Sequence, residues 1–145
     1  MELEPYGPLA RGLCRYLREV GDALGVGFEA TCWDLDERAS AYVALDGRLP
    51  GYPDHDLALI WDEENGWAAA LEGGRGDDMI VLCYLGYDVL APSAVVAGFV
   101  DALRADGYPG QPDPPALRAA FCDDGFAERL ATFPLPAVAG LAGQR

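Results

Sequence analysis

Asp56-Leu57-Ala58-Leu59-Ile60-Trp61-Asp62-Glu63-Glu64-Asn65-Gly66-Trp67-Ala68-Ala69-Ala70-Leu71-Glu72 sets two apolar runs on either side of a short polar segment. Asn-Gly between two apolar runs is a strong turn signal, so these residues read as a β-hairpin. Loop length must agree with the sidedness of the strands, because a one-residue slip turns every side chain to the other face. A three-residue loop, Glu64-Asn65-Gly66, with Gly66 left-handed and bulged, places Leu57, Leu59, Trp61, Trp67, Ala69 and Leu71 on one face. Ala58, Ile60, Asp62, Ala68, Ala70 and Glu72 then share the other. A two-residue loop would scatter the tryptophans across opposite faces, so the three-residue loop is the expectation.

Working outward, Ala39, Ala41, Val43 and Leu45 alternate with Ser40, Tyr42, Ala44 and Asp46, which makes residues 39–46 a strand. Residues 28–35 read as its partner across the polar segment 34–38. Residues 47–55, with two prolines and two glycines, form a loop. Downstream, 73–78 is a turn and 79–85 a fifth strand, apolar on both faces and so expected at the centre of the sheet. Apolar residues at three- and four-residue spacing predict helices over 8–24 and 92–105. A stiff linker follows at 110–115. Beyond it a short helical segment carries Leu117, Phe121, Phe126, Leu130 and Phe133, broken near Asp124-Gly125. Short connections require antiparallel pairing. The fold class is α+β: a five-stranded antiparallel meander sheet flanked by an N-terminal helix and C-terminal helices. One domain is expected over residues 1–133, with 134–145 a flexible tail. The order of the strands follows from no feature of the sequence.

Composition narrows function. Hydrophobic residues make up 51% of the chain, as a folded protein requires. No apolar run approaches the ~20 residues that span a bilayer, and the acidic N-terminus does not resemble a signal peptide, so the expected address is cytoplasmic. The net charge is −14, from 24 acidic residues against 10 arginines, with no lysine. Absence of lysine excludes a Walker-type phosphate lysine and Schiff-base chemistry. The acidity argues against direct nucleic-acid binding and suits a basic protein or a cationic ligand, although it also serves solubility alone.

Candidate chemistry is sparse. His55 is the single histidine, flanked by Asp54 and Asp56; it is either a general base or, the favoured reading, an ordinary loop histidine at the start of a strand, and no second histidine completes a metal site. The two serines, Ser40 and Ser93, lie outside any nucleophile elbow. Cys14, Cys32, Cys83 and Cys122 form no Cys-x-x-Cys pair and read as reduced core thiols. Asp34, Asp36, Glu37, Asp62 and Glu63 are either a carboxylate cluster for a divalent cation or solvated turn acids, the second being favoured. Arg11, Arg15 and Arg18 lie on one helix face, again favoured as surface pairs over an anion grip. No catalytic residue, metal or cofactor is assigned. Tyr52, Trp61, Trp67, Tyr84, Tyr87 and Trp33 gather in the sheet and its end loops; either those left uncovered by helices bind a ligand or partner, or Trp61 and Trp67 are simply the core, the second being favoured. The candidate ligand-binding set is Tyr52, His55, Trp61, Asp62, Trp67 and Tyr87.

Residues 48–67, with Arg48-Leu49-Pro50-Gly51-Tyr52-Pro53-Asp54 running into Leu59-Ile60-Trp61-Asp62-Glu63-Glu64-Asn65-Gly66-Trp67, resemble the signature of an uncharacterised actinobacterial family. Residues 84–92, Tyr-Leu-Gly-Tyr-Asp-Val-Leu-Ala-Pro, resemble it too, as does the lysine-free, Arg- and Ala-rich composition. The resemblance extends over about residues 9–133 and implies a family without an established activity.

The leading expectation is a non-enzymatic acidic binding or regulatory module that engages a protein or small ligand. One alternative is a small enzyme of specialised metabolism, using a pocket near His55 and Trp61. Another is an acidic inhibitor that mimics nucleic acid, which requires Asp34, Asp36, Glu37, Asp62, Glu63, Asp77 and Asp78 to form one stripe. Oligomeric state is left open.

Overall fold

The computed structural model describes residues 7–35, 38–73, 79–107, 109–118, 125–131 and 133. The expected tail at 134–145, Phe121 and the break at Asp124 lie outside the described residues.

The hairpin forms as β3 (Leu57–Asp62) and β4 (Gly66–Glu72), with Leu57 opposite Leu71, Leu59 opposite Ala69 and Trp61 opposite Trp67. The faces are those expected, and Gly66 is left-handed at φ 72°. The loop itself is corrected by one position. Asp62 pairs with Gly66, leaving Glu63, Glu64 and Asn65 in the turn. The Asp62 carboxylate causes this, because its Oδ1 accepts the Glu64 and Asn65 amides, both at 2.8 Å, and closes the turn one residue early. Gly66 carries no bulge; the register shift falls between Ala69 and Ala70, against β5.

Strands β1 (Thr31–Asp34), β2 (Ser40–Ala44) and β5 (Met79–Tyr84) complete an antiparallel sheet in the order β1-β2-β3-β4-β5. Three expectations change here. First, β5 lies at the edge of the sheet rather than its centre. An apolar run without alternation does not distinguish a strand covered on both faces from an edge strand left greasy. Second, Phe28–Ala30 is a single 3-10 turn rather than extended chain, with the Ala30 amide donating to the Gly27 carbonyl at 3.0 Å. Phe28 is held there by Arg18, whose guanidinium lies 4.4 Å from the ring centroid. Third, the three described cysteines are not core thiols: Cys32 is exposed, and Cys14 and Cys83 are half-buried, while Cys122 lies outside the described residues. Pairing of Cys32 with Tyr42 puts it on the uncovered face of an edge strand.

Helices α1 (Pro8–Leu24), α2 (Ser93–Arg104) and α3 (Phe126–Ala131) cover one face of the sheet. The core consists of that face, from Ala41 and Val43 through Leu59, Trp61, Trp67 and Leu71, together with Leu13, Tyr16, Leu17 and Val20 of α1 and Val96, Phe99 and Val100 of α2. At its centre three aromatic side chains bury their polar tips. The Trp67 indole donates to the Tyr16 hydroxyl at 2.9 Å, and that hydroxyl donates to the Ala91 carbonyl at 2.6 Å. The Trp61 indole donates to the Val89 carbonyl at 2.6 Å. Each bond removes an otherwise unsatisfied buried donor, a penalty of about 1–3 kcal/mol per group. Together they tie α1, the hairpin and the segment before α2 into one unit.

Tyr16→Phe orphans both the Trp67 indole and the Ala91 carbonyl. The expected loss is about 2–4 kcal/mol of unfolding free energy at unchanged m-value in urea. Tyr87→Phe, at a position 62% exposed, is expected to shift stability by less than about 0.5 kcal/mol.

Candidate functional site

Four segments converge at the β5 edge to form a cleft of about 550 Å³. Leu82 and Cys83 of β5 form one wall. Leu103, in the last turn of α2, forms another, and that turn is fastened by Arg104, whose Nη2 donates to the Asp46 carbonyl at 2.8 Å. The loop after β2 supplies Leu49, Gly51 and Tyr52. Its shape is set by Arg48, which bonds Asp56 and the Pro53 carbonyl, both at 3.0 Å, and by the Tyr52 amide donating to the Leu49 carbonyl. The fourth wall is a strap at residues 109–112.

The strap is held to the sheet by a two-bond bridge. The Tyr84 amide donates to the Gln111 carbonyl at 2.7 Å, and the Gln111 amide donates back to Tyr84 at 2.9 Å. Gly110 makes the approach possible: its φ is +75°, and a Cβ there would sit 2.0 Å from the Tyr84 carbonyl oxygen. The lining is mainly apolar, with Asp106, Gln111 and the Tyr52 hydroxyl as polar groups. Burial pushes the Cys83 thiol up from its ordinary value, which keeps it a neutral thiol rather than a thiolate nucleophile.

Of the six candidate ligand residues, the structure brings Tyr52 alone into this lining. His55 is next to it, its amide donating to the Tyr52 carbonyl at 3.3 Å, but its imidazole turns toward Glu72, with Nδ1 2.9 Å from that carbonyl. Trp61 and Trp67 belong to the core and Asp62 closes the hairpin turn. Tyr87 lies outside this lining, over a separate, smaller hollow of about 190 Å³ beside Asp88, Arg118, Phe126 and Arg129. Sequence reasoning missed the strap and Leu82. Residues 107–112 are rich in glycine and proline and read only as a loop, and nothing local signals that Gln111 pairs with Tyr84.

The carboxylates disperse. Glu63 is not a solvated turn acid: its Oε1 accepts the Ala39 amide at 2.7 Å and its Oε2 meets Arg118 at 2.9 Å, with the two side chains 11% and 7% exposed. Arg118 also stacks on Phe126, 4.3 Å from the ring centroid. Asp34 and Asp62 share the uncovered face, both paired in register with Ser40. Asp36, Glu37, Asp77 and Asp78 lie outside the described residues. Among the described residues no three His, Cys, Asp or Glu are grouped to hold a metal ion. On α1, Arg15 donates to the Phe133 carbonyl at 3.1 Å. On the uncovered face, the Tyr42 hydroxyl donates to Glu72. The sheet register runs this bond over the alanine pair Ala58–Ala70, and both alanines are buried.

A family model described as a family of unknown function, DUF6292, matches residues 16–102, more than half of the chain. The match begins inside α1, takes in the whole sheet and ends inside α2; the strap and α3 lie beyond it. No curated protein and no solved structure matches the chain. No helix among the described residues is long and apolar enough to cross a membrane.

Burial, and then the bond to Glu72, push the Tyr42 hydroxyl from 10.0 up to about 12. Burial pushes Tyr16 higher still. Both are acids whose folded pKa is raised, so their contribution to stability is intact below pH 10 and is lost as pH rises through the folded values. Urea unfolding at stepped alkaline pH is expected to show stability falling from about pH 10 upward. Tyr42→Phe should remove the Tyr42 share of the fall between about pH 10 and 12, leaving the Tyr16 share, which starts at the same pH and continues higher.

Proposed function

This chain belongs to DUF6292, a family of unknown function, and we propose that it is a non-enzymatic acidic binding module that holds an apolar group of its partner in the β5-edge cleft. The observation that carries the reading is where large apolar side chains remain exposed. Four such residues stand out among the described residues: Tyr52 at 42%, Ile80 at 49%, Val81 at 39% and Tyr87 at 62%. Tyr52 lines the cleft, and Ile80 and Val81 lie on the strand that walls it, Ile80 on the helix-covered side with Leu71 and Val81 on the uncovered side with Ala70. Exposed apolar surface that clusters beside a concavity is the usual mark of a binding site.

Other features support it. A volume near 550 Å³ falls within the ordinary range for ligand pockets. The lining offers shape and a few polar groups but no activated nucleophile, because the Cys83 thiol is held neutral. The charge of −14 draws a basic protein or cationic ligand toward the site and disfavours direct contact with nucleic acid. Cys32 and Cys83 stand as free thiols, which suits a reducing, cytoplasmic setting. The arginine-only, alanine-rich composition suits an actinobacterial source. An enzyme built on His55 and Trp61 would need both in one pocket. Instead, the imidazole is turned to the Glu72 carbonyl and Trp61 is in the core.

The test is titration with Nile red, a neutral apolar dye that brightens when desolvated. Gly51 lines the cleft and has open space where a Cβ would go, so Gly51→Trp fills the mouth with little strain. Saturable binding is expected in the parent and in His55→Ala, and affinity at least about tenfold weaker, or 1.4 kcal/mol, in Gly51→Trp. Loss in His55→Ala with retention in Gly51→Trp would contradict the proposal.

A further inference from the structure

We infer that the partner enters the cleft as an extended basic peptide segment, which adds to the free edge of β5 as a sixth strand and lowers one apolar side chain into the cavity. The inference rests on the binding-module reading above.

Among the described residues β4 is the one strand that pairs with β5, and it does so along one side. On its other side, the single bridge among the described residues is Tyr84 with Gln111. Among the described residues the strap makes no further ladder bond with β5 on the Met79–Leu82 side. Tyr84 therefore shows that this edge accepts a strand, and Met79–Leu82 is edge that the strap does not reach. Edge strands are ordinarily protected by charge, proline or a cover. Here the sequence Met79-Ile80-Val81-Leu82-Cys83-Tyr84 has no charged residue, and Ile80 and Val81 are half exposed. Such an edge invites strand addition.

Strand addition and the cleft are one site. Leu82 and Cys83 are at once edge residues and cleft wall. Side chains of an added strand point alternately to the two faces, so every second one would face the helix layer, where the cleft opens. Charge selects the occupant. Exposed Asp106, just after α2, lines this corner and exposed Asp113 follows the strap, in a chain of net charge −14. A second copy would bring the same charge to the same edge, whereas a peptide whose apolar residue is flanked by arginine or lysine complements it.

The experiment uses a blocked peptide alternating valine and arginine, about six residues long, the length of an ordinary strand. Its counterpart is N-methylated on alternate amides and cannot complete the ladder. Hydrogen exchange followed by NMR on the full chain is expected to show protection of amides within Met79–Leu82 by the parent peptide. The methylated peptide should bind at least about tenfold more weakly. Val81→Lys, exposed on the uncovered face beside Ala70 and outside the cleft lining, should weaken peptide binding at least about tenfold and leave dye binding unchanged. Equal binding of the two peptides, or dye binding with no peptide binding, overturns the added strand while leaving the cleft reading standing. Failure of both dye and peptide overturns both. A dimer in sedimentation that Val81→Lys dissociates puts a second copy on the edge and also overturns the inference.

Discussion

The structure depends on one constraint: three large aromatic side chains sit at its centre, and each has a polar tip that must be satisfied there. Trp67 reaches Tyr16, Tyr16 reaches the Ala91 carbonyl, and Trp61 reaches the Val89 carbonyl. Burying the rings provides much of the driving force, and leaving the tips unpaired would cancel a large part of it. The two acceptor carbonyls come from a segment without regular structure, so the aromatics determine where that segment lies. Helix α2 starts immediately after it, at Ser93. Its direction is then set by Val96, Phe99 and Val100 seeking the core, and its C-terminal end arrives beside β5. The cleft is a consequence of that path.

A second tie works from the hairpin turn. Glu63 turns inward, bonds the Ala39 amide and neutralises Arg118, which lies on Phe126, itself stacked on Trp61 with ring centroids 6.2 Å apart. A buried ion pair is not strong evidence of net stability, because desolvation offsets much of the attraction. Its role is placement: it holds the segment around Arg118, and with it α3, against the turn end of the sheet. The strap-and-cleft corner therefore has the residue 109–118 segment secured at two points, at Tyr84 by Gln111 and at the turn by Arg118. The uncovered face is treated differently. Tyr42, tethered to Glu72, overlies small alanines, and little large apolar surface remains exposed there except near the β5 edge.

How much of this is legible in the sequence follows from the range of each interaction. Helix α1 was readable to its end residues, because one apolar stripe and a glycine terminator are local signals. The hairpin faces were readable because sidedness constrains Trp61 and Trp67 together, yet the turn moved by one residue when a side chain, Asp62, supplied the closing acceptor. The edge position of β5 was not readable, since Met79–Tyr84 has the same apolar pattern whether or not a sixth strand covers it. The site was least legible. Tyr52 stood out as an aromatic in a glycine- and proline-rich loop, but its companions Leu82, Leu103 and Gln111 join it only through contacts distant in sequence. Trp61 and Trp67, prominent in sequence as candidate binders, are consumed by the core. Glu63 shows the same limit in reverse: a turn glutamate gives no sign that Arg118, remote in the chain, will bury it.

The most direct test of the account is where an apolar ligand sits. Intermolecular nuclear Overhauser contacts to bound Nile red, with methyl-labelled leucine, isoleucine and valine, would locate it. The account requires contacts to the methyls of Leu49, Leu82 and Leu103, with the Ile60 methyls silent. Contacts centred on Ile60, on the uncovered face, or on Val89 and Leu117 beside Tyr87, would contradict it.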